Sequence, residues 1–366
     1  MMECFRCSSC DRPYPAEGVP YRCVSCGGVY DVVELPPFDP TKVETELPGM
    51  WRYRHTFGLP VTAPVVSLGE GLTPVVWESI QGKKVVFKLE YLNPTGSFKD
   101  RGTAPLVSLL KSRQVRSVVE DSSGNAGASL AAYAARSHIC VKVFVPAYAS
   151  GPKLKQISAY GAEIVPVEGK RSDVAEAVRK VANGGRVYAS HAYLPFGWVG
   201  MATIAYELVA QIGMAPGSVI APAGQGSLLL GIGLGFRALQ QAGILSEPPQ
   251  LVGVQAQACA PLWMAFAQGA NKLEHVTEGE TLAEGVRICH PLRVEAVLRL
   301  LASCRGKIVA VEERDILPSR DSLAWRGFYV EPTSAIVWPV LLDLLRELPE
   351  PVVVVLTGSG FKWGGT

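Results

Sequence analysis

Short apolar runs, rich in β-branched residues, recur along the chain beyond residue 80. They are Val85–Leu89, Ser117–Val119, Val141–Val145, Ile164–Val167, Val219–Pro222, Leu251–Val254, Ile308–Val311 and Val352–Leu356. Between most of them lie stretches with helical spacing, such as Ala126–Arg136, Ser172–Val181, Thr203–Gln211 and Leu228–Gln240. Strands that are apolar on both faces, alternating with helices, predict an α/β protein with parallel sheets covered on both sides. In such sheets ligands bind beyond the carboxyl ends of the strands, so the loops that follow the strands should carry the chemistry.

The linker-like stretch 34–50 is rich in proline and charge, and it separates a cysteine-rich N-terminus from the α/β part. The expected division is 1–35, 36–203 and 204–366. With 366 residues, 48% of them apolar, the chain can bury a large core. A net charge of +2 gives no electrostatic case for nucleic acid or a membrane surface. No apolar run approaches the roughly 18 residues needed to cross a bilayer, and the N-terminus lacks an apolar signal region. A cytoplasmic protein is expected, acting on a small molecule.

Five of the nine cysteines fall within the first 26 residues. Cys7 and Cys10 are separated by two residues, as are Cys23 and Cys26, with twelve residues between the pairs. Four thiolates at this spacing suit zinc in a ribbon, and they leave no open position for substrate, so a structural site is expected. Cys4 offers an alternative ligand through its own two-residue gap to Cys7. The other readings are a ribbon without metal and a redox pair. As a separate module, the ribbon should be dispensable for the chemistry of the remainder. Cys140, Cys259, Cys289 and Cys304 lie among apolar residues and are expected in the core.

Four loops carry candidate chemistry. The first, Asn93-Pro94-Thr95-Gly96-Ser97-Phe98-Lys99-Asp100-Arg101-Gly102, follows a strand and opens a helix, with Ser97 as the expected cap. A helix dipole disfavours an ammonium at this end, which makes Lys99 a candidate nucleophile or Schiff-base former. The second loop is Asp121-Ser122-Ser123-Gly124-Asn125-Ala126-Gly127. Its small residues let backbone N–H groups approach a carboxylate at a helix start, and Asn125 could meet a cofactor hydroxyl. The third, Ala223-Gly224-Gln225-Gly226-Ser227-Leu228, has the glycines of an anion nest but no P-loop lysine, which favours a cofactor monophosphate. The fourth, Thr357-Gly358-Ser359-Gly360, places a hydroxyl where a pyridine nitrogen could be met.

Taken in this order, the four loops resemble those of the tryptophan-synthase-β family of pyridoxal 5′-phosphate (PLP) enzymes, fold type II, and most closely the threonine synthases. Gly69-Glu70-Gly71-Leu72-Thr73-Pro74, Glu331-Pro332-Thr333-Ser334-Ala335 and the cysteine ribbon also match that branch. The resemblance covers roughly residues 4–362. It implies two α/β domains with the cofactor between them, plus a small zinc-ribbon-like module at the N-terminus. Residues 36–203 would bear the PLP lysine, and residues 204–366 the phosphate-binding loop. Lys99 would be the catalytic Schiff-base lysine and Asn125 would meet the cofactor's O3′. Gly224, Gln225, Gly226, Ser227 and Leu228 would hold its phosphate, and Thr357 would face its ring nitrogen. Ser122, Ser123, Gly124 and Ala126 would bind the substrate carboxylate. Cys7, Cys10, Cys23 and Cys26 would hold structural zinc. A homodimer is the expected assembly.

The chain departs from the threonine synthase pattern at two places. Ala126 replaces a hydroxyl residue. Gly197 stands where an Asn-Pro-x-Arg segment supplies an arginine, and Leu194 where it supplies the asparagine. Read this way, Gly197 is a lost phosphate contact. His191 on the same loop is either a solvated loop residue or a substitute; as a substitute it would bind phosphate best as the imidazolium, and activity would fall as the pH rises. The expected reaction is O-phosphohomoserine plus water to threonine plus phosphate. The alternatives are β-replacement on O-phosphoserine or a similar substrate, a serine or threonine dehydratase, and a non-catalytic binding protein.

Overall fold

The computed structural model describes residues 2–269, 276 and 279–364. The chain forms two compact units, one of residues 2–71, 93–200 and 364, the other of residues 72–92 and 201–363.

In the first unit, β1 (Phe5–Cys7) and β2 (Tyr30–Val32) pair antiparallel in the cysteine ribbon. The main sheet of this unit is parallel. It contains β5 (Ser117–Glu120), β6 (Cys140–Pro146), β7 (Glu163–Val167) and β8 (Val187–Tyr188), in the order β7-β6-β5-β8. Its helices are α1 (Lys99–Ser112), α2 (Asn125–Ser137), α3 (Pro152–Ala159), α4 (Arg171–Asn183) and the first turn of α5 (Gly197–Ile212). The start of α5 lies against α1. A Cβ on Gly200 would stand 1.8 Å from the Arg101 carbonyl oxygen, so the approach requires glycine there.

The second unit holds a six-stranded sheet in the order β11-β10-β9-β12-β4-β3. Its strands are β3 (Val75–Ile80), β4 (Lys83–Lys88), β9 (Ser218–Pro222), β10 (Gln250–Ala256), β11 (Lys307–Val311) and β12 (Val352–Val355). All neighbours are parallel except the β3–β4 hairpin at the edge. The expected strands are present. Those absent from the sequence reading, β3 and β8, carry weak signals: β3 is a half-exposed edge strand, and β8 has two residues. Cys140, expected in the core, is exposed at the start of β6, where alternate side chains face solvent.

Residues 72–92 join the second unit through β4, which pairs with β12, and through a buried ion pair. The side chains of Lys88 and Glu207 are both fully buried, 2.7 Å apart. The Lys88 ammonium also donates to the Thr73 carbonyl at 2.7 Å and to Gln211 Oε1 at 2.8 Å. The second Glu207 oxygen accepts the Leu72 N–H at 2.9 Å. The apolar body of this unit includes Phe87, Ile220, Val252, Val354 and Leu356, with Phe87 against Phe328 at 4.6 Å between ring centroids.

Removing one partner of a buried pair strands the other charge, at a cost of about 3–5 kcal/mol. Lys88→Met is therefore expected to lower unfolding stability by that order in denaturant titration. A loss below about 1 kcal/mol would mean that Glu207 finds another cation or a proton.

Candidate active site

Lys99 is the first residue of α1. It is half-buried, with its ammonium 4.8 Å from the centroid of the Phe98 ring. The loop before it is held by the next residue rather than by the expected serine. Asp100 is fully buried, and its carboxylate accepts the Thr95 N–H at 2.7 Å, the Thr95 hydroxyl at 2.6 Å and the Ser129 hydroxyl at 2.6 Å. Ser97 makes no side-chain cap. Phe98 already has helical angles at the capping position, and the Ser97 hydroxyl is buried with no partner among the described residues. Asp100 holds the turn instead by reaching back to an amide upstream of the helix, and the first helical amides have no side-chain cap.

The Gly69-Glu70-Gly71 segment supports the same loop from below. Buried Glu70 accepts from Trp51 Nε1 at 2.6 Å, the Tyr133 hydroxyl at 2.7 Å and the Leu68 N–H at 2.9 Å. The Gly71 N–H donates to Asn93 Oδ1 at 3.0 Å.

The loop after β5 runs into α2, with Asn125 at the first helical position and Gly124 at an end that no side chain caps. Ser122 turns inward and accepts the Gly124 N–H at 3.3 Å, while Ser123, Gly124 and Asn125 are half-buried. Ala126 is buried. The free amides of this helix start suit a carboxylate.

At the end of β5 the sequence reading missed Glu120 and gave no role to Asp121, the first residue of the second loop. Glu120 places Oε1 3.0 Å from His191 Nδ1. Asp121 accepts the Tyr188 hydroxyl at 2.7 Å and lies 3.6 Å from Arg171. The available signal was the Glu-Asp pair closing an otherwise apolar strand beside the serine-glycine loop. Burial, then the charge of Asp121, pushes the Glu120 carboxyl well above the usual carboxylate range, and Arg171 and Lys99 offset this only in part. Burial, then the charges of Lys99 and Arg171, holds His191 well below the ordinary histidine range. Both influences act against the imidazolium on which the phosphate-binding expectation for His191 rests.

A Cβ at Gly197 would lie 3.2 Å from Gly102 Cα and 3.4 Å from its carbonyl oxygen. The position faces the backbone of α1, so close helix packing is a second reason for glycine there.

In the second unit, Gly226 caps α6 (Ser227–Gln241) with φ +82°, a left-handed conformation that glycine adopts readily. No side chain caps this end, so its amides can turn toward an anion. The loop is fixed from both sides: Gln255 donates to the Ala223 carbonyl at 2.9 Å, and the Leu292 N–H to Gln225 Oε1 at 3.1 Å. Ser227 and Leu228 begin the helix, both buried. Gly224 lies under Gly285–Ile288, whose atoms stand 3.0–3.3 Å from where its Cβ would be. Thr357 is buried beyond β12, and its N–H donates to the Ser334 hydroxyl at 2.8 Å, which joins the fourth loop to the Glu331–Ala335 segment.

The sulfurs of Cys7, Cys10, Cys23 and Cys26 lie within 4.8 Å of one another, a cluster that could hold a metal ion. The Ser25 amide lowers the Cys23 thiol to about 6, and the Cys26 amide adds to this. Cys26 is pushed up to about 12, against the pull of the Gly28 amide, by its neighbours Cys10 and Cys7. Cys4 lies outside the cluster, with its sulfur beside Gly58, and burial pushes its thiol up to about 11. The ribbon is not detached from its unit. Phe5 packs tilted and Tyr14 edge-on against Phe196, each with 4.8 Å between ring centroids. Tyr21 packs edge-on against Tyr188 at 5.3 Å and Tyr193 at 5.2 Å. Arg113, after α1, donates to the Pro15 carbonyl at 2.8 Å and to the Gly18 carbonyl.

The family described as pyridoxal-phosphate dependent enzymes matches residues 66–358. A threonine synthase of Methanocaldococcus jannaschii is 33% identical, over 98% of this chain and 92% of the relative. One from Synechocystis is also 33% identical, over 83% of this chain and 81% of the relative. Among solved structures, a threonine deaminase from T.th. is 27% identical with a TM-score of 0.68, covering 80% of this chain and 94% of that one. Maize serine racemase, 22% identical with a TM-score of 0.69, shares the fold.

Tyr21 sits two residues before Cys23 and braces the loop that bears His191. Aromatic pairs are worth about 0.5–1.5 kcal/mol each beyond burial. Tyr21→Ala is therefore expected to lower the local opening free energy of residues 188–196 by about 1–3 kcal/mol, read as faster amide hydrogen exchange there and not in α2. Unchanged exchange in 188–196 would show that the ribbon does not brace this loop.

Proposed function

Because the chain belongs to the pyridoxal-phosphate-dependent enzymes, we propose that it is a threonine synthase-like lyase, converting O-phosphohomoserine and water to threonine and phosphate. The observation that carries this reading is the 33% identity to a threonine synthase across 98% of the chain. The residues fit the cofactor. Lys99 is half-buried at a helix start beside an aromatic ring, Gly226 opens an uncapped helix suited to a phosphate, and Thr357 offers a buried hydroxyl. Bound PLP would supply an electron sink for the carbanion formed at the substrate's α-carbon.

Under this reading Lys99 holds the cofactor covalently and moves the α-proton. Asn125 positions the cofactor hydroxyl. Gly224, Gln225, Gly226, Ser227 and Leu228 bind its phosphate through backbone amides. Thr357 gives its ring nitrogen a neutral partner. Ser122, Ser123, Gly124 and Ala126 orient the substrate carboxylate at the start of α2, and His191 faces the departing group.

We further propose zinc at the four cysteines. A zinc–sulfur bond of about 2.3 Å sets tetrahedral sulfur–sulfur edges of about 3.8 Å. Cys7–Cys26 at 3.5 Å and Cys10–Cys23 at 3.7 Å are close to that length.

The 27% identity to a threonine deaminase supports threonine dehydration as the second reading. A side-by-side assay of O-phosphohomoserine, O-phosphoserine, serine and threonine separates them. Threonine and phosphate are expected from the first. Keto acid and ammonia from threonine alone would replace the leading reading with the second. Borohydride should fix the cofactor to the parent protein and not to Lys99→Ala, and fixation on the variant would overturn the role of Lys99. Fresh protein should contain zinc and Cys23→Ser should lose it, while full retention in the variant would overturn the ligand set.

A further inference from the structure

We propose that Glu120 and His191 are a proton-delivering pair for the group that leaves the substrate: His191 Nε2–H protonates the departing oxygen, and Glu120 refills His191 through Nδ1. This rests on the reading of the chain as a carbon–oxygen lyase.

The geometry is that of a relay. Glu120 is the last residue of β5 and is 1% exposed, with Oε1 3.0 Å from His191 Nδ1. The His191 side chain is 28% exposed, so one edge of the ring meets Glu120 while the ring remains accessible. The other Glu120 oxygen is buried with no partner among the described residues. A buried acceptor left unmatched costs about 1–3 kcal/mol, and a pair kept only for structure would be expected to satisfy it.

The charged and titratable groups around the pair come from four elements: Lys99 on α1, Asp121 beyond β5, Arg171 on α4 and Tyr188 on β8. Asp121 is engaged by Tyr188 and Arg171. Burial and Asp121 favour the acid form of Glu120, while burial, Lys99 and Arg171 favour neutral imidazole. The pair then holds a carboxylic acid facing Nδ1 and a proton on Nε2. Shifting the bridging proton to Nδ1 gives carboxylate and imidazolium with the same net charge. In both forms Nε2 carries hydrogen, so the donor aimed at an anionic leaving group persists.

The step balances. As the carbon–oxygen bond breaks, its electron pair goes to the oxygen, which takes the Nε2 proton while Nδ1 takes the carboxyl proton. Glu120 is left as carboxylate and His191 as the Nδ1–H tautomer. The water that later adds gives its hydroxide to carbon and its proton to Nε2, and the Nδ1 proton returns to Glu120.

The test uses PLP-loaded parent, Glu120→Gln and His191→Asn. Both variants should keep the cofactor's visible absorption. With O-phosphohomoserine each should lose about 10²–10⁴-fold in kcat, with little change in KM. With 3-chloroalanine, whose chloride needs no proton, the loss should nearly vanish, whereas serine should behave like the phosphate substrate. Without substrate, infrared spectra at neutral pH should show a carboxylic-acid C=O band that Glu120→Gln alone removes. Equal losses for chloride and oxygen leaving groups, an effect on KM alone, or no such band would overturn the pair. Full activity of both variants on O-phosphohomoserine would overturn the pair and leave the lyase reading intact. A parent inactive on O-phosphohomoserine, with the serine–chloroalanine contrast and the band present, would discard that substrate and keep the pair.

Discussion

The buried carboxylate of Asp100 is the constraint from which the lysine site follows. A carboxylate taken out of water must be surrounded by donors, and here they come from Thr95, upstream of the helix, and Ser129, on a different helix. Meeting that requirement fixes the turn, the start of α1 and the distance to α2 together. Lys99 is the residue before Asp100, so its backbone has little freedom left. Glu70 repeats the device one layer away, drawing Trp51, Tyr133 and Leu68 onto one side chain. These networks place the Lys99 amine through side chains other than its own, and removing one member would leave buried groups unpaired.

Charge at the end of β5 is divided by the alternation of a strand. Neighbouring residues point to opposite faces, so Asp121 meets Tyr188 and Arg171 while Glu120 meets His191. Burial, and then the neighbouring Asp121, push the Glu120 carboxyl well above the usual carboxylate range. A carboxyl that resists ionisation there would spare an anionic ligand at the start of α2 the repulsion of a second carboxylate.

The ribbon gains its place in the molecule through aromatic packing. Its cysteine cluster is small, but Phe5, Tyr14 and Tyr21 reach Tyr188 at the end of β8 and Tyr193 and Phe196 on the connection from β8 to α5. That connection carries His191. A module that the sequence presents as an appendage is thereby in contact with a loop of the candidate site.

The sequence by itself determined the alternation of buried strands and helices, the loops that carry Lys99, Asn125, Gly226 and Thr357, and the four-cysteine cluster. Each of these is written in local order: apolar runs, glycine before a helix, cysteines at fixed spacing. What only the tertiary structure decided depends on residues far apart in the chain. The segment 72–92 leaves its neighbours because β4 pairs with β12 and Lys88 meets Glu207, more than a hundred residues away. Gly197, which looked like a missing ligand, faces the backbone of α1 because its helix packs there. Ser97 does not cap α1, and the turn before it is held by Asp100, whose partners are set by the fold. Burial and the fields of Lys99 and Arg171 act against the imidazolium expected of His191, and burial raises the carboxyl of its partner Glu120. A one-dimensional pattern records which groups are present. Their protonation and their partners follow from solvent exclusion and distance, which exist only once the chain has closed on itself.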